Sequence, residues 1–483
     1  MIIKKEISDL IDYSDSRYLI CWEILNSFIN FDPSKPFFQK LLDFQSILCD
    51  SLFRLERAYH LIHQEKQRII ERKRKLSPNW FRARLKALSH YQSAITQTFS
   101  IGRCLGDSYA WLFYHREQQL LSEHQKHRPI DHMPIGIGGI GELEFIKRFK
   151  GIGNNLLIYH GTTTILRIGD ISLIDLKTLT VSAIGELKTR KAGDRQLEIN
   201  FTMVGPRLED NFKSVKLNEN AKLTEFKLSN REKERFKRQI KSIHASFQSK
   251  LKYKTLDKIK LYSSTSLEKL DELGRNLENN AFVYQKAGKG LLLMAYKSIR
   301  KKLSSRILKG IATQNKLGQL SEKTMQIMDV KSRDNRIIIS PFVYSQKGKY
   351  NIPDGITPFF WWPLDMKLIK KIIFRQVLVL TIYNPLHFIK KIEEIGLTVS
   401  YDRNTRRYLV GKVLKGKMLE VRGFSYFIML IQNYLFSEDA VLKIIGKTIS
   451  KAKTLSDTAR NIILNMHIQQ QFESEEVLLK DSK

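Results

Sequence analysis

Cysteine is scarce: Cys21, Cys49 and Cys104 are the only three in 483 residues, all in the first quarter and without CxxC spacing. That argues against a disulfide framework and a cysteine-built zinc site, and implies a reducing compartment. With 11 prolines and 25 glycines the chain has too little of either for a collagenous or low-complexity polymer. Long apolar runs are missing too. Val377 to Ile382 and Phe424 to Ile431 fall well short of the roughly 20 residues that span a bilayer. Glu6, Asp9 and Asp12 interrupt the stretch where a signal peptide needs apolar residues. The expectation is a soluble, cytoplasmic chain with no membrane partner. No GxxxxGK[ST] and no GxSxG occurs, so neither a Walker-type motor nor a nucleophile-elbow hydrolase is expected.

Acidic residues are also in deficit. Asp and Glu total 49 against 82 Lys and Arg, a formal charge of +33. A field of this size repels itself within a compact fold, and a phosphate backbone is the usual compensation. Nucleic acid is therefore the expected partner, ahead of an anionic membrane surface. At 42% hydrophobic and 10% aromatic residues, the chain is rich enough in apolar side chains to fold into several globular domains.

The apolar spacing of Leu41, Phe44, Ile47, Leu48, Leu52 and Leu55 predicts a helix from about Phe37 to Lys75, which Ser77-Pro78 interrupts. A second, from about Trp80 to Gln125, carries Ala87, His90, Tyr91, Ile95 and Phe99 on one face, so residues 1–130 read as a helical domain built on a hairpin. Its basic stretch Lys66 to Lys75 (KQRIIERKRK) is either a solvated helix end or a phosphate contact. Pro129 to Pro134 marks a linker into short β-branched runs, and residues 131–300 read as a β-rich α/β domain. It includes a strand pair around Gly288-Lys289-Gly290. Residues 301–334 read as a basic helix and linker, and residues 335–483 as a third, α/β domain. Its strands are RIIISPFVYS, QVLVLTIYN, LTVSYD and RRYLVGKVL, with a helix starting at Asn384-Pro385.

The most informative segment is Gly169-Asp170, then 15 residues, then Glu186-Leu187-Lys188. An ExK tripeptide alone carries little, since Glu71-Arg72-Lys73 and Glu225-Phe226-Lys227 also occur. Here, however, two β runs, RIGDISLID and VSAIGELKT, face each other across a short turn. Centring that turn on Thr178 pairs Asp170 with Glu186, with facing side chains within about 5 Å at Cβ. Alternation along a strand puts Lys188 on the same face as Glu186 and Asp175 on the face opposite to Asp170. Two adjacent carboxylates repel unless a proton or a cation intervenes, and hard oxygen ligands of this kind suit Mg²⁺.

The order helix, strand, Asp-bearing strand, ExK-bearing strand, helix, strand resembles the PD-(D/E)xK nuclease superfamily, with Asp170, Glu186 and Lys188 matching its core motif over about residues 135–300. The resemblance implies a restriction-endonuclease-like core with a mixed sheet. It also implies that Asp170 and Glu186 bind Mg²⁺, with Mn²⁺ as a substitute, while Lys188 orients or activates the attacking water. Glu142, in GIGELEFIKRF, fits the place of an extra metal-binding acid on the preceding helix better than Glu144. Gln196 fits the place of a glutamine that contacts metal or DNA in some branches. Gly169 replaces the proline of the motif, and about forty residues separate Lys188 from the next helix, Ser229 to Leu251. That helix carries Arg231, Arg235 and Arg238 about one turn apart, placed to hold the nucleic-acid backbone. The implied function is a metal-dependent endonuclease acting on DNA in preference to RNA, in bacterial defence or restriction, with a protein partner or a second copy met through the flanking domains.

Other motifs have blander readings. Gly136 to Gly141 matches GxGxxG, but no strand precedes it and no acid stands about 20 residues on. It reads instead as glycines that bring a helix N-terminus close to the sheet. His124, His127 and His132 read as a polar loop before a domain boundary, and Trp361-Trp362 as core packing at a proline-bounded turn. The rival readings of the whole are a non-catalytic nucleic-acid-binding protein or a ribonucleoprotein subunit with a degenerate nuclease fold; the bland reading of the hairpin itself is a solvent-facing one with an accidental Glu186–Lys188 ion pair.

Overall fold

A computed structural model of the chain describes residues 4–29, 37–115, 117–128, 133–149, 151–152, 155–175, 178, 180–191, 197–205, 265–309, 337–343, 356–402, 407–414, 417–421, 424–453 and 462–464. It is an α/β structure of two compact units. One comprises Met1–Asp257, Asn351–Trp361 and Ser474–Lys483, the other Lys258–Tyr350 and Trp362–Glu473.

In the first unit, α1 (Lys4–Ile29), α2 (Phe37–Glu71) and α3 (Pro78–Tyr114) pack together. The α2–α3 hairpin turns where the sequence predicts, with the Ser77 hydroxyl accepting from Trp80 N at 3.3 Å and Pro78 in the first turn of α3. The expected apolar stripe of α3 is displaced, since Ile95 is buried but His90 is exposed. The deep core lies further on. From Ser100 to Trp111 every residue of α3 is buried, whichever way it points, because the helix runs through the middle of the unit. Small residues (Gly102, Gly106, Ser108, Ala110) allow that enclosure. Phe44 stacks on Tyr109 with ring centres 4.2 Å apart, and all three cysteines are buried thiols outside any disulfide.

Helices α4 (Gln118–Gln125) and α5 (Ile137–Arg148) lead into a five-stranded sheet. Its order is β1 (Gly151–Ile152), β2 (Asn155–Tyr159), β3 (Ile171–Asp175), β4 (Thr180–Lys191) and β5 (Leu197–Val204). Every pairing in it is antiparallel. This corrects the expected mixed sheet, and the element after the ExK strand is β5 rather than a helix. β1 pairs only with Asn155 and Leu156. The side-chain amide of Gln45 on α2 takes over along the rest of β2, donating to Leu157 O at 2.5 Å and accepting from Tyr159 N at 2.6 Å.

The helices and this sheet are thus one folding unit, not two domains meeting near residue 130. The physical reason is a buried polar network from α3. Asp107, wholly buried, accepts from the Thr163 hydroxyl, from Thr164 N at 2.5 Å, from the Thr164 hydroxyl at 2.6 Å and from Ile165 N at 3.3 Å. One turn earlier, Arg103 donates to Thr163 O at 2.7 Å. Together they pin the segment that runs from β2 to β3.

The second unit opens with α6 (Leu267–Asn276). Its first sheet orders β6 (Phe282–Lys286), β7 (Leu291–Lys297), β9 (Val377–Tyr383) and β8 (Ile338–Pro341). The hairpin around Gly288 to Gly290 forms as expected, but not in the expected domain. β7 pairs along its whole length with β9, Leu291 with Tyr383 through Lys297 with Val377. A strand buried from Leu291 to Tyr296 needs neighbours on both edges and cover on both faces, which sets it at the centre of this sheet. A second sheet holds β10 (Thr398–Asp402), β11 (Arg407–Leu414), β12 (Lys417–Val421) and β13 (Ile462–Leu464). Its β12–β13 contact is the one parallel pairing among the described residues. Trp362 is buried against Phe342 and Tyr434, as core packing predicts, and Trp361 of the first unit donates to Ser108 O at 2.8 Å. Among the described residues no helix is long and apolar enough to cross a membrane.

The Asp107 network sets a test of the fold. Asp107→Ala strands four backbone or hydroxyl donors and removes the charge that chiefly opposes the cost of burying Arg103, so unfolding free energy should fall by about 3–5 kcal/mol. A urea titration reads this as a lower midpoint; a loss below about 1 kcal/mol would show that the network does not hold the loop.

Candidate active site

The site assembles where α5 crosses the sheet. Gly141 lets it do so: a Cβ there would stand 2.2 Å from the Thr189 hydroxyl on β4, so only glycine admits this approach. The glycine-rich run therefore builds a helix packed on a sheet, with Gly136 as its N-cap. The next residue, Glu142, is brought over β2, where its carboxylate accepts a short hydrogen bond from the Tyr159 hydroxyl. Glu144, two residues on, instead pairs at the surface with Lys147 at 3.4 Å and Arg148 at 3.5 Å.

Asp170 stands immediately before β3. The observed register, Ile171 with Gly185 and Ser172 with Ile184, is the one read from the sequence, and extended by one step it sets Asp170 opposite Glu186. Asp170 N donates to Gly185 O at 2.8 Å, and the Asp170 carboxylate accepts from Leu187 N at 2.7 Å. Gly169 has φ of +72°. Proline is confined to φ near −65°, so the residue that usually precedes the motif aspartate has no place in this turn. Beyond Leu173 the register shifts, with Ser182 as the extra residue of β4, after the aligned part is complete.

Glu186 and Asp170 share a side-chain hydrogen bond, and the Lys188 ammonium donates to Glu186 Oε2 at 3.3 Å. The ion pair of the bland reading is present, but its acid does not face solvent: Glu186 is 3% exposed, whereas Lys188 is partly open. Burial first, and then the Asp170 charge, hold the Glu186 carboxyl well above its ordinary range, with Lys188 opposing. Glu142 is pushed up to about 7 for the same two reasons, against the Tyr159 hydrogen bond and Lys188. Three acids and a lysine from α5, the β3 turn and β4 thus lie within one electrostatic cluster.

A second tier of residues, which sequence reasoning missed, fixes the Asp170 turn. His160 Nδ1 donates to Gly169 O at 3.0 Å and His160 N to Asp170 O at 2.8 Å. Burial lowers the imidazole to about 4, so it is neutral and its Nε2 accepts from the Ser172 hydroxyl at 2.6 Å. That hydroxyl accepts in turn from Tyr114 at 2.5 Å. His124 packs edge-on to His160 and accepts from Arg167 N and Ile168 N, both at 3.0 Å. It lies buried in α4, which corrects the expectation of a polar loop; His132 lies outside the described residues. The sequence signal for this tier is faint but present: a polar run, HGTTT, between apolar strands must find partners.

Gln196 and the helix Ser229 to Leu251, with Arg231, Arg235 and Arg238, lie outside the described residues. Among the described residues no three His, Cys, Asp or Glu side chains stand in metal-holding geometry. What stands there is a carboxyl pair bridged by a hydrogen bond, with the third acid turned to Tyr159. The chemistry of the donors nevertheless suits a hard divalent cation: all are carboxyl oxygens, and burial makes the charge of Glu142 and Glu186 costly until a cation offsets it. Comparison with protein-family models, with curated proteins and with solved structures gives no match.

The electrostatics set a pH dependence. A carboxyl whose folded value is raised binds a proton in the native state that the unfolded chain has already released, so stability falls as pH rises. For Glu186 the window runs from its ordinary 4.5 to about 8, and the rise of Glu142 acts in the same direction. In chelator, Glu186→Gln should therefore become progressively more stable than wild type as pH rises across this window. Urea midpoints for the two proteins that stay parallel with pH would refute the buried, protonated glutamate.

Proposed function

We propose that the chain is a metal-dependent nuclease of the PD-(D/E)xK kind, hydrolysing phosphodiester bonds of nucleic acid, DNA in preference to RNA. One observation carries the reading. Asp170 and Glu186, with 15 residues between them in sequence, meet as a carboxyl pair of which Glu186 is buried and Asp170 half-buried, Lys188 joins it on the same face, and Glu142 is added from the preceding helix. The antiparallel β5 after the ExK strand is a departure from the pattern, and it pairs with that strand at the motif itself, Glu186 with Thr202 and Lys188 with Asn200.

Asp170 and Glu186 would hold Mg²⁺ or Mn²⁺, with Glu142 as the further acid. When bound, the metal supplies Lewis acidity and a water of lowered pKa. The chain's own residues account for the rest. Lys188, one-third exposed at its side chain, is the cation that water and substrate reach, and it stabilises negative charge developing on the scissile phosphate. The Tyr159 hydroxyl holds the Glu142 carboxylate in place. The rival reading, a binding protein with a relic site, draws on the same Glu186–Lys188 ion pair as a structural contact.

Asp170→Asn and Glu186→Gln should each abolish Mg²⁺-dependent cleavage of plasmid DNA while leaving affinity equal or slightly higher, since each removes a negative charge near phosphate. Lys188→Ala should slow turnover by about 10²–10³-fold without a matching drop in melting temperature. Cleavage retained in either acid variant ends the assignment, and near-normal turnover of the lysine variant favours the structural ion pair.

A further inference from the structure

The α2–α3 hairpin carries a second concentration of charge, away from the carboxylate cluster. Between Lys66 and Lys86 the sequence holds nine Lys and Arg and a single acid, Glu71. Arg68, Arg72, Lys73, Arg74, Lys75 and Arg82 are all exposed, and none of the six pairs with a carboxylate among the described residues. Some basic residues elsewhere on the surface do find acids, as Arg54 does with Asp50 at 2.9 Å and Lys126 with Glu123 at 2.5 Å. The hairpin tip instead gathers six exposed cations within fifteen residues. Like charges so close repel one another and destabilise the turn unless an external anion spreads along it.

The tip is also built to project. α1 runs antiparallel to α2, with Tyr13 facing Asp50 and Cys21 facing Phe44, so its start falls short of the turn. Beyond it the hairpin is stitched by Arg84, which donates twice to Glu65 Oε1 at 3.0 and 2.5 Å, and by Lys66, which donates to Gln92 at 2.8 Å. At ~1.5 Å of rise per residue, α2 extends about 40 Å from Gln45, which touches β2 beside the site, to Arg72. Trp80, 44% exposed, sits among the cations and offers a ring to sugar or base.

We propose that this tip is a docking surface for nucleic-acid backbone, gripping a stretch about 40 Å from the carboxylate cluster, roughly 12 base pairs of duplex. The surface reads charge and not sequence, because among the described residues nothing on it presents a base-specific fork held in place by a neighbour. It shares with the nuclease reading only the class of partner, and its test reads binding in the absence of cleavage.

The experiment uses the full chain in chelator and a fluorescein-labelled DNA duplex of about 30 base pairs, roughly 100 Å long, with anisotropy followed across salt. The triple variant Arg72→Gln, Arg74→Gln, Lys75→Gln should weaken binding alike for unrelated sequences, and flatten the slope of log K against log salt by up to about 0.9 for each phosphate the variant no longer neutralises. Trp80→Ala should lower affinity with the slope unchanged. Lysine in place of both arginines, with Lys75 kept, should restore the slope, which a folding defect would not. An unchanged affinity and slope in the triple variant, at unchanged melting temperature, overturns the proposal. So does loss of binding to phosphatidylserine vesicles alone. Failure of the cleavage tests leaves this result untouched, and a flat salt response here leaves the carboxylate assignment untouched.

Discussion

Burying Asp107 near the C-terminal end of α3 is the constraint on which the first unit turns. A carboxylate with no access to water has to be met by donors, and the loop between β2 and β3 supplies four. Burial raises its pKa while those donors and Arg103 lower it, so ionised charge and loop geometry depend on each other. The loop so held presents His160 to Gly169, and Gly169 sets the backbone from which Asp170 meets β4. The turn that carries Asp170 is thus positioned by a helix that contributes no acid to the site.

The division between what was legible in the sequence and what was not follows the range of the interactions. Strand alternation and one turn position give the Asp170, Glu186 and Lys188 constellation, because those residues are related by a local hairpin whose register needs only the period of two. The same local logic finds the Ser77 cap, the β6–β7 hairpin and the start of the helix at Asn384-Pro385. Asp107, Tyr114, His160 and Ser172 were not legible, since each meets its partner across a gap that no periodicity spans. Tyr114 and Ser172 are 58 residues apart. A lone acid and a lone arginine in the otherwise mostly small or apolar run IGRCLGDSYAWLFY were the available signal, and they identify a demand without naming what meets it.

The boundaries expected near residues 130 and 300 fail for a related reason. A change from helical to β texture marks a change of local backbone preference, and cores are indifferent to that change. Here the helices form one wall of the core and the sheet the other, joined through Gln45, Arg103 and Asp107. The β6–β7 pair, close in sequence to the first sheet, joins β9 because Leu291 to Tyr296 is apolar on both faces. Composition tells that such a strand must be central. It does not tell to which sheet.

Gln45 has a bearing on how the chain is assembled. A strand edge left open is a template for pairing with another molecule, and here a side-chain amide closes it from a helix made 112 residues earlier. During synthesis from the N-terminus, α2 is complete before β2 exists, so the cap waits for the strand and not the strand for its cap. The edge is covered as soon as it forms, which shortens the interval in which a basic, strand-rich nascent chain exposes an adhesive edge. A fragment begun after the helices would lack that protection, and aggregation rather than a smaller active protein is the outcome its open β2 edge favours.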